Sequence, residues 1–143
     1  MSMNFFYKAY PAGLLSSQSD EQIDALVSQH PAKDEVCLET AWDVLREALQ
    51  GCGFASDRQI DQAMYNGCML INAELVADQA KLFGFWNEDR LIAALGDVSE
   101  DAYHAETWLE ETSHPQLLGH FRDLKAFFNR AASAGYEVLL YPV

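Results

Sequence analysis

Over the last third of the chain, Leu117, Leu118, Phe121, Leu124, Phe128 and Ala131 recur at helical spacing, Gly135 follows, and Tyr136 to Tyr141 reads as a strand. A helix therefore feeds a sheet. Ser113, Pro115 and Gln116 suit the start of that helix, the serine accepting from first-turn amides while the glutamine reaches back to the cap. At the other end of the chain, Met3 to Tyr10 alternates and is rich in Phe and Tyr until Pro11 and Gly13 break it, which predicts a first strand.

Between these ends the apolar positions mark shorter elements. Ser19 to Gln22 forms a second capping box ahead of a brief helix through Ile23, Leu26 and Val27, which His30-Pro31 ends, and Ala32 to Val36 reads as a polar connection. Leu38, Ala41, Trp42, Leu45, Ala48 and Leu49 follow the i, i+3, i+4, i+7 pattern up to Gly51. Asp57 to Tyr65 is weakly helical and stops at Asn66-Gly67, and Cys68 to Ile71 is an apolar run of strand length. Ala73 to Phe83 resumes helical spacing before Gly84, and Asn87 can cap a further helix through Leu91, Ile92 and Leu95. Five or six helices thus alternate with three strands. The last strand is apolar enough to be covered on both faces, so the pattern predicts a small, helix-rich α/β layered domain whose sheet includes both terminal strands.

Composition narrows the class. A chain of 143 residues matches the usual size of one domain, about 100 to 150 residues, so a single domain over residues 1–143 is expected. Half the residues are hydrophobic, which excludes a disordered acidic tail. No uncharged stretch approaches the roughly 18 apolar residues of a membrane span. Met1 to Tyr10 also lacks a signal peptide's apolar core, so a cytoplasmic protein with no membrane partner is expected. Cys37, Cys52 and Cys68 are odd in number and form no Cys-x-x-Cys, which predicts buried structural thiols.

Charge changes the picture more. The net charge is −13, from 22 acidic and nine basic residues, and it disfavours nucleic acid as a partner because phosphate contacts need a positive surface. Between Arg90 and Arg122 there is no Lys or Arg, while Asp97, Glu100, Asp101, Glu106, Glu110 and Glu111 fall in that gap beside Tyr103, Trp108 and the histidines 104, 114 and 120. Such a surface steers a basic partner.

Candidate chemistry is sparse. Trp42 lies on the inner face of its helix and reads first as a core residue. Asp43 and Arg46 can pair across one turn, and alternatively Arg46 lines a cleft and holds a carboxylate or phosphate with its planar fork. His104, His114 and His120 with Glu106, Glu110 and Glu111 contain the atoms of a metal site without the tight spacing of a metal motif, so no metal is assigned. There is no Gly-x-Ser-x-Gly elbow and no glycine-rich phosphate loop, and no cofactor is expected.

Leu38-Glu39-Thr40-Ala41-Trp42-Asp43-Val44-Leu45-Arg46, together with the ending Leu124 to Phe128 and Ala131 to Tyr141, resembles the YfbM-like family of small bacterial proteins of unassigned function. In that family a Leu-acid-Lys-x-Trp-x-x-Leu-His segment and a terminal helix-Gly-strand recur. The resemblance implies a three-layer α/β sandwich and no activity. Thr40 stands where the family usually has Lys, and Arg46 where it usually has His, so any polar site built on those positions is altered or absent here.

Two functional readings follow. The first is a non-catalytic binding protein of immunity or inhibitor type, whose segment from Asp97 to Glu111, with Glu100, Asp101, Tyr103, His104 and Trp108, engages a basic protein. The second is a small-molecule sensor or enzyme with a cleft near Trp42, Arg46, Tyr103 and His104.

Overall fold

A computed structural model describes residues 3–143, so the first two residues of the Met1–Tyr10 stretch read for a leader lie outside the described residues. Its elements run β1 (Phe5–Pro11), α1 (Ile23–Gln29), β2 (Asp34–Glu39), α2 (Trp42–Ala48), β3 (Arg58–Ile60), β4 (Cys68–Ile71), α3 (Ala73–Phe83), α4 (Glu88–Ala94), α5 (Ala105–Trp108), α6 (His114–Ala134) and β5 (Tyr136–Pro142). The strands form one five-stranded antiparallel sheet in the order β2-β1-β5-β4-β3. The two terminal strands are thus neighbours at its centre, with Tyr7 opposite Leu140 and Lys8 opposite Leu139.

Strand alternation sends successive side chains to opposite faces and so builds two cores. Phe5, Tyr7, Ala9, Val138 and Leu140 join the larger core, packed under α2, α3, α4 and α6. Tyr10, Leu139, Tyr141 and Leu70 join a smaller one, covered by Ile23 of α1 and the loop residue Leu15. Helices, sheet and a thinner cover make the three layers that the family resemblance implies.

The terminal helix forms as its spacing predicts. Leu117, Phe121, Leu124, Phe127, Phe128 and Ala131 are buried, and Phe127 and Phe128 meet the Tyr7 ring edge-on at 6.0 and 5.8 Å. Gly135 takes φ 72° and its N–H donates to the carbonyls of Ala131 and Ala132, a left-handed stop that glycine reaches without steric cost. The start of the helix differs from expectation. Ser113 has helical dihedrals and makes no capping bond, because the 3₁₀ turn Glu111–Ser113 runs straight into α6 and leaves no extended residue to act as cap. At the earlier capping box, the Gln22 side chain does accept from the Ser19 N–H, at 3.4 Å.

Two strands stand where none is predicted. Asp34–Glu39, where the pattern predicts a connection and the start of a helix, pairs along β1 as an edge strand with only Leu38 fully buried. Glu39 takes φ 51°, which separates that strand from α2, so the helix begins at Trp42 and not at Leu38. Arg58–Ile60 is likewise a strand, paired with Cys68–Leu70, and not the weak helix its composition suggests. Met64, Tyr65 and Gly67 then turn the chain through positive φ at the predicted Asn66-Gly67 break.

Candidate functional site

The acidic stretch is held to the body by its apolar members. Val98, Ala102, Ala105 and Trp108 are buried in the larger core, while Asp97, Glu100, Asp101, Glu106, Glu110 and Glu111 remain exposed. The backbone is tied as well. Tyr103 N–H donates to Asp43 Oδ2 at 2.9 Å, Ser99 N–H to Glu47 Oε1 at 3.3 Å, and Asp101 N–H to Ser99 Oγ at 3.0 Å. His104 adopts a left-handed φ of 55° that starts the single-turn helix α5.

This folding makes a groove of about 530 Å3 whose walls carry Glu100, Glu106, Glu110 and Glu111 and whose floor includes Ala105 and Leu109. Carboxylates around an apolar floor suit a cationic group on an aliphatic stem, which is the chemistry of Lys and Arg side chains. Among the described residues no group of three His, Cys, Asp or Glu side chains is placed to hold a metal ion. The groove therefore presents spread negative potential with no focal ion site.

Of the sequence candidates, Glu100 lines the groove, and Asp97 and Asp101 are exposed on the same segment. Trp108 lies beneath: it is 5% exposed, and its indole N–H donates to Thr40 Oγ1 at 3.1 Å. Trp42, Tyr103 and His104 form a chain of rings, with centroids 5.5 Å apart for the first pair and 4.4 Å for the second, and Phe5 stacks on Trp42 at 4.2 Å. The Trp42 indole donates to Met3 O at 3.0 Å. Arg46 pairs with Asp43 across one turn at 2.6 Å, so Asp43 joins α2 both to Arg46 and to the acidic segment. Thus the two positions that depart from the YfbM-like pattern both serve local contacts, Thr40 toward Trp108 and Arg46 toward Asp43.

Within the predicted segment Asp97 to Glu111, the groove also draws on Ala105, Glu106, Leu109, Glu110 and Glu111, which are not among the candidate contact side chains. Their signal is a repeat four apart, Ala105 with Leu109 and Glu106 with Glu110, which places an apolar and an acidic pair side by side. His120 is half-buried, with Nε2 3.6 Å from Glu39 Oε2 and its ring edge-on to Trp108. Two of the three cysteines are buried as predicted, whereas Cys37 is only half-buried, because it lies on the edge strand β2. Cys52 and Cys68 are buried, and burial pushes both thiols up to about 11, away from the reactive thiolate.

Comparison with known proteins gives a family and a fold. A family model described as a domain of unknown function (DUF1877) matches residues 1–141. Among solved structures, the chain is similar to YfbM from Escherichia coli, described as a protein of unknown function, with a TM-score of 0.62 at 14% identity over 98% of this chain and 99% of that one. No curated protein matches. These findings agree with the YfbM-like resemblance read from the sequence.

Proposed function

We propose, for a chain that belongs to the DUF1877 family of unknown function, a non-catalytic role: it is a cytoplasmic binding module whose acidic groove engages a basic surface on a protein partner, in the manner of an immunity or inhibitor protein. The observation that carries this reading is the groove itself, four glutamates over an apolar floor within a stretch free of Lys and Arg. Its backbone is ordered by the core beneath it, so little conformational freedom is lost on binding. The small-molecule reading is the less favoured one, because the Trp42, Tyr103 and His104 rings pack on one another and Arg46 is already paired with Asp43.

Capture from the native host on the immobilised full chain tests the proposal, followed by association kinetics at rising salt. A basic protein should be retained. Its on-rate should fall by at least about tenfold as the screening length shrinks from about 10 Å at 0.1 M salt to about 3 Å at 1 M. Changing Glu100, Glu106, Glu110 and Glu111 together to Gln should abolish most of that salt dependence. Failure to recover a stable partner, or an association indifferent to salt and to the quadruple change, would overturn it.

A further inference from the structure

Leu82 and Phe85 are 46% and 69% exposed, two of the five large apolar side chains so exposed among the described residues. Both line a second groove, of about 440 Å3, between residues 49–55 and the junction of α3 with α4. Trp86 forms part of its wall, and the Arg90 guanidinium stacks on that indole with Cζ 4.2 Å from the ring centroid. Arg90 Nη1 also donates to Phe85 O at 2.6 Å. Stacking and this bond fix the plane of the fork, and among the described residues its other side-chain N–H donors have no protein acceptor.

The pairing pattern of the arginines makes Arg90 exceptional. In a chain with 22 acidic and nine basic residues, Arg46, Arg58, Arg122 and Arg130 are ion-paired with Asp43, Asp20, Glu88 and Asp34. Among the described residues Arg90 alone of the five arginines has no carboxylate within ion-pair distance. It sits instead at the edge of exposed apolar surface.

We propose that this groove binds a small carboxylate with an apolar body, Arg90 taking the carboxylate through its fork while the body lies against Leu82, Phe85 and Trp86. Charge chooses the occupant. A cation would meet Arg90 unfavourably, a neutral apolar molecule would leave the guanidinium unused, and a polyanion is repelled by a net charge of −13. One negative charge on an apolar stem satisfies all three conditions. The floor binds and does not react: the buried Gln79 accepts from Gly53 N–H at 2.7 Å, and Cys52 is held protonated.

Octanoate, titrated into the isotopically labelled full chain, tests this, with octan-1-ol as the neutral probe of the same length. Octanoate should shift the Trp86 indole and Gly51 amide resonances saturably, with a Kd of about 1 mM, as suits a ligand of this size. Octan-1-ol should bind at least about tenfold more weakly, the difference a charge-assisted bidentate contact makes. Arg90→Gln should bring octanoate down to the level of octan-1-ol, Arg90→Lys should retain part of the preference, and Phe85→Ser should weaken both probes. Equal affinity for the two probes on the unmodified chain would overturn the proposal, as would the absence of saturable shifts or an Arg90→Gln chain that binds octanoate as before. Movement of the same resonances with protein concentration alone would assign the groove to a second copy of the chain, and would overturn it too.

Discussion

Glu137 is 1% exposed on β5, facing the smaller core, and its carboxylate gathers the loop that follows β1. Oε1 accepts from Gly13 N–H at 2.7 Å and from Ser16 Oγ at 2.8 Å, and Oε2 accepts from Leu15 N–H at 2.8 Å and from Ser16 N–H at 3.1 Å. None of the described ion pairs involves it. Four hydrogen bonds, with no cation in ion-pair range among the described residues, therefore offset the desolvation of this charge.

Glu137→Ala removes every acceptor at once and strands the buried Leu15 N–H along with three partly buried donors, the Gly13 and Ser16 N–H groups and the Ser16 hydroxyl. Several donors left without a partner, at roughly 1 to 3 kcal/mol each and partly relieved by water at the half-buried ones, give a cost of about 3 to 5 kcal/mol. Glu137→Gln is gentler for a geometric reason. Its amide oxygen can occupy the Oε2 position and keep both backbone donors there, while its NH₂ donates to the Ser16 hydroxyl and only Gly13 N–H loses its partner. One stranded donor costs about 1 to 3 kcal/mol. Urea unfolding should rank wild type above Gln above Ala, with the Ala midpoint lower by at least about 1 M. Hydrogen exchange at Leu15 N–H should accelerate in Ala and stay protected in Gln. A Gln variant as damaged as Ala, or an Ala variant within about 0.5 kcal/mol of wild type, would refute the reasoning.

Gly53 has φ 91° and an added Cβ there would lie 2.9 Å from Phe83 Cζ, whereas Gly51 has φ 85° and open space. Gly51→Ala should cost about 1 to 2 kcal/mol of backbone strain and Gly53→Ala clearly more, measured as paired thermal melts. Thiol titration with Ellman's reagent should find half-buried Cys37 reacting first, with Cys52 and Cys68 silent until urea is added. Alkali should destabilise the fold. Burial holds Cys52 and Cys68 up to about 11 and Tyr10 up to about 12, so the unfolded chain ionises first. The stability these groups contribute is complete below about pH 9 and is lost as pH rises through about 11 to 12. Unfolding midpoints recorded across that range should fall, and a flat profile would contradict the burial of these groups.

The helix-Gly-strand ending and α3 were legible because one period dominates each, and their buried positions coincide with the stripe. β2 was not. An edge strand buries one face weakly, and Asp34 to Glu39 offers only Leu38 as a fully buried residue, which also falls three and four positions before Ala41 and Trp42 and so mimics a longer helix. Nothing local says that Glu39 will turn left-handed. β3 is three residues long, too short for any period to show. Glu137 was visible as a charge inside an otherwise apolar strand, but its partners lie more than 120 positions away and pairing at that distance leaves no local trace. The acidic surface was legible as a gap in basic residues, whereas its shape as a groove required the inward anchors Ala102, Ala105 and Trp108.

Those anchors separate two contributions to partner binding, if the acidic groove acts as proposed. The glutamates set the long-range field and therefore the rate of encounter, while the connections beneath them fix the backbone before the partner arrives. Asp43 is the clearest connection: one carboxylate oxygen accepts from Tyr103 N–H at 2.9 Å and the other from Arg46 Nη2 at 2.6 Å and Nε at 2.9 Å, so it joins α2 to the acidic segment without lining the groove. Asp43→Ala should loosen residues 99–105, seen as faster hydrogen exchange there, and transfer the cost of ordering them to the binding step. Ordering one side chain costs about 0.5 to 1.5 kcal/mol, which is roughly two- to twelvefold in affinity, and a second multiplies that loss. Because the glutamates remain, that loss should appear almost wholly in the off-rate, whereas the quadruple Glu→Gln change should act on the on-rate and its salt dependence. If Asp43→Ala loosened the segment and left the off-rate unchanged, preorganisation would have no part in binding, and the groove would act through its charge alone.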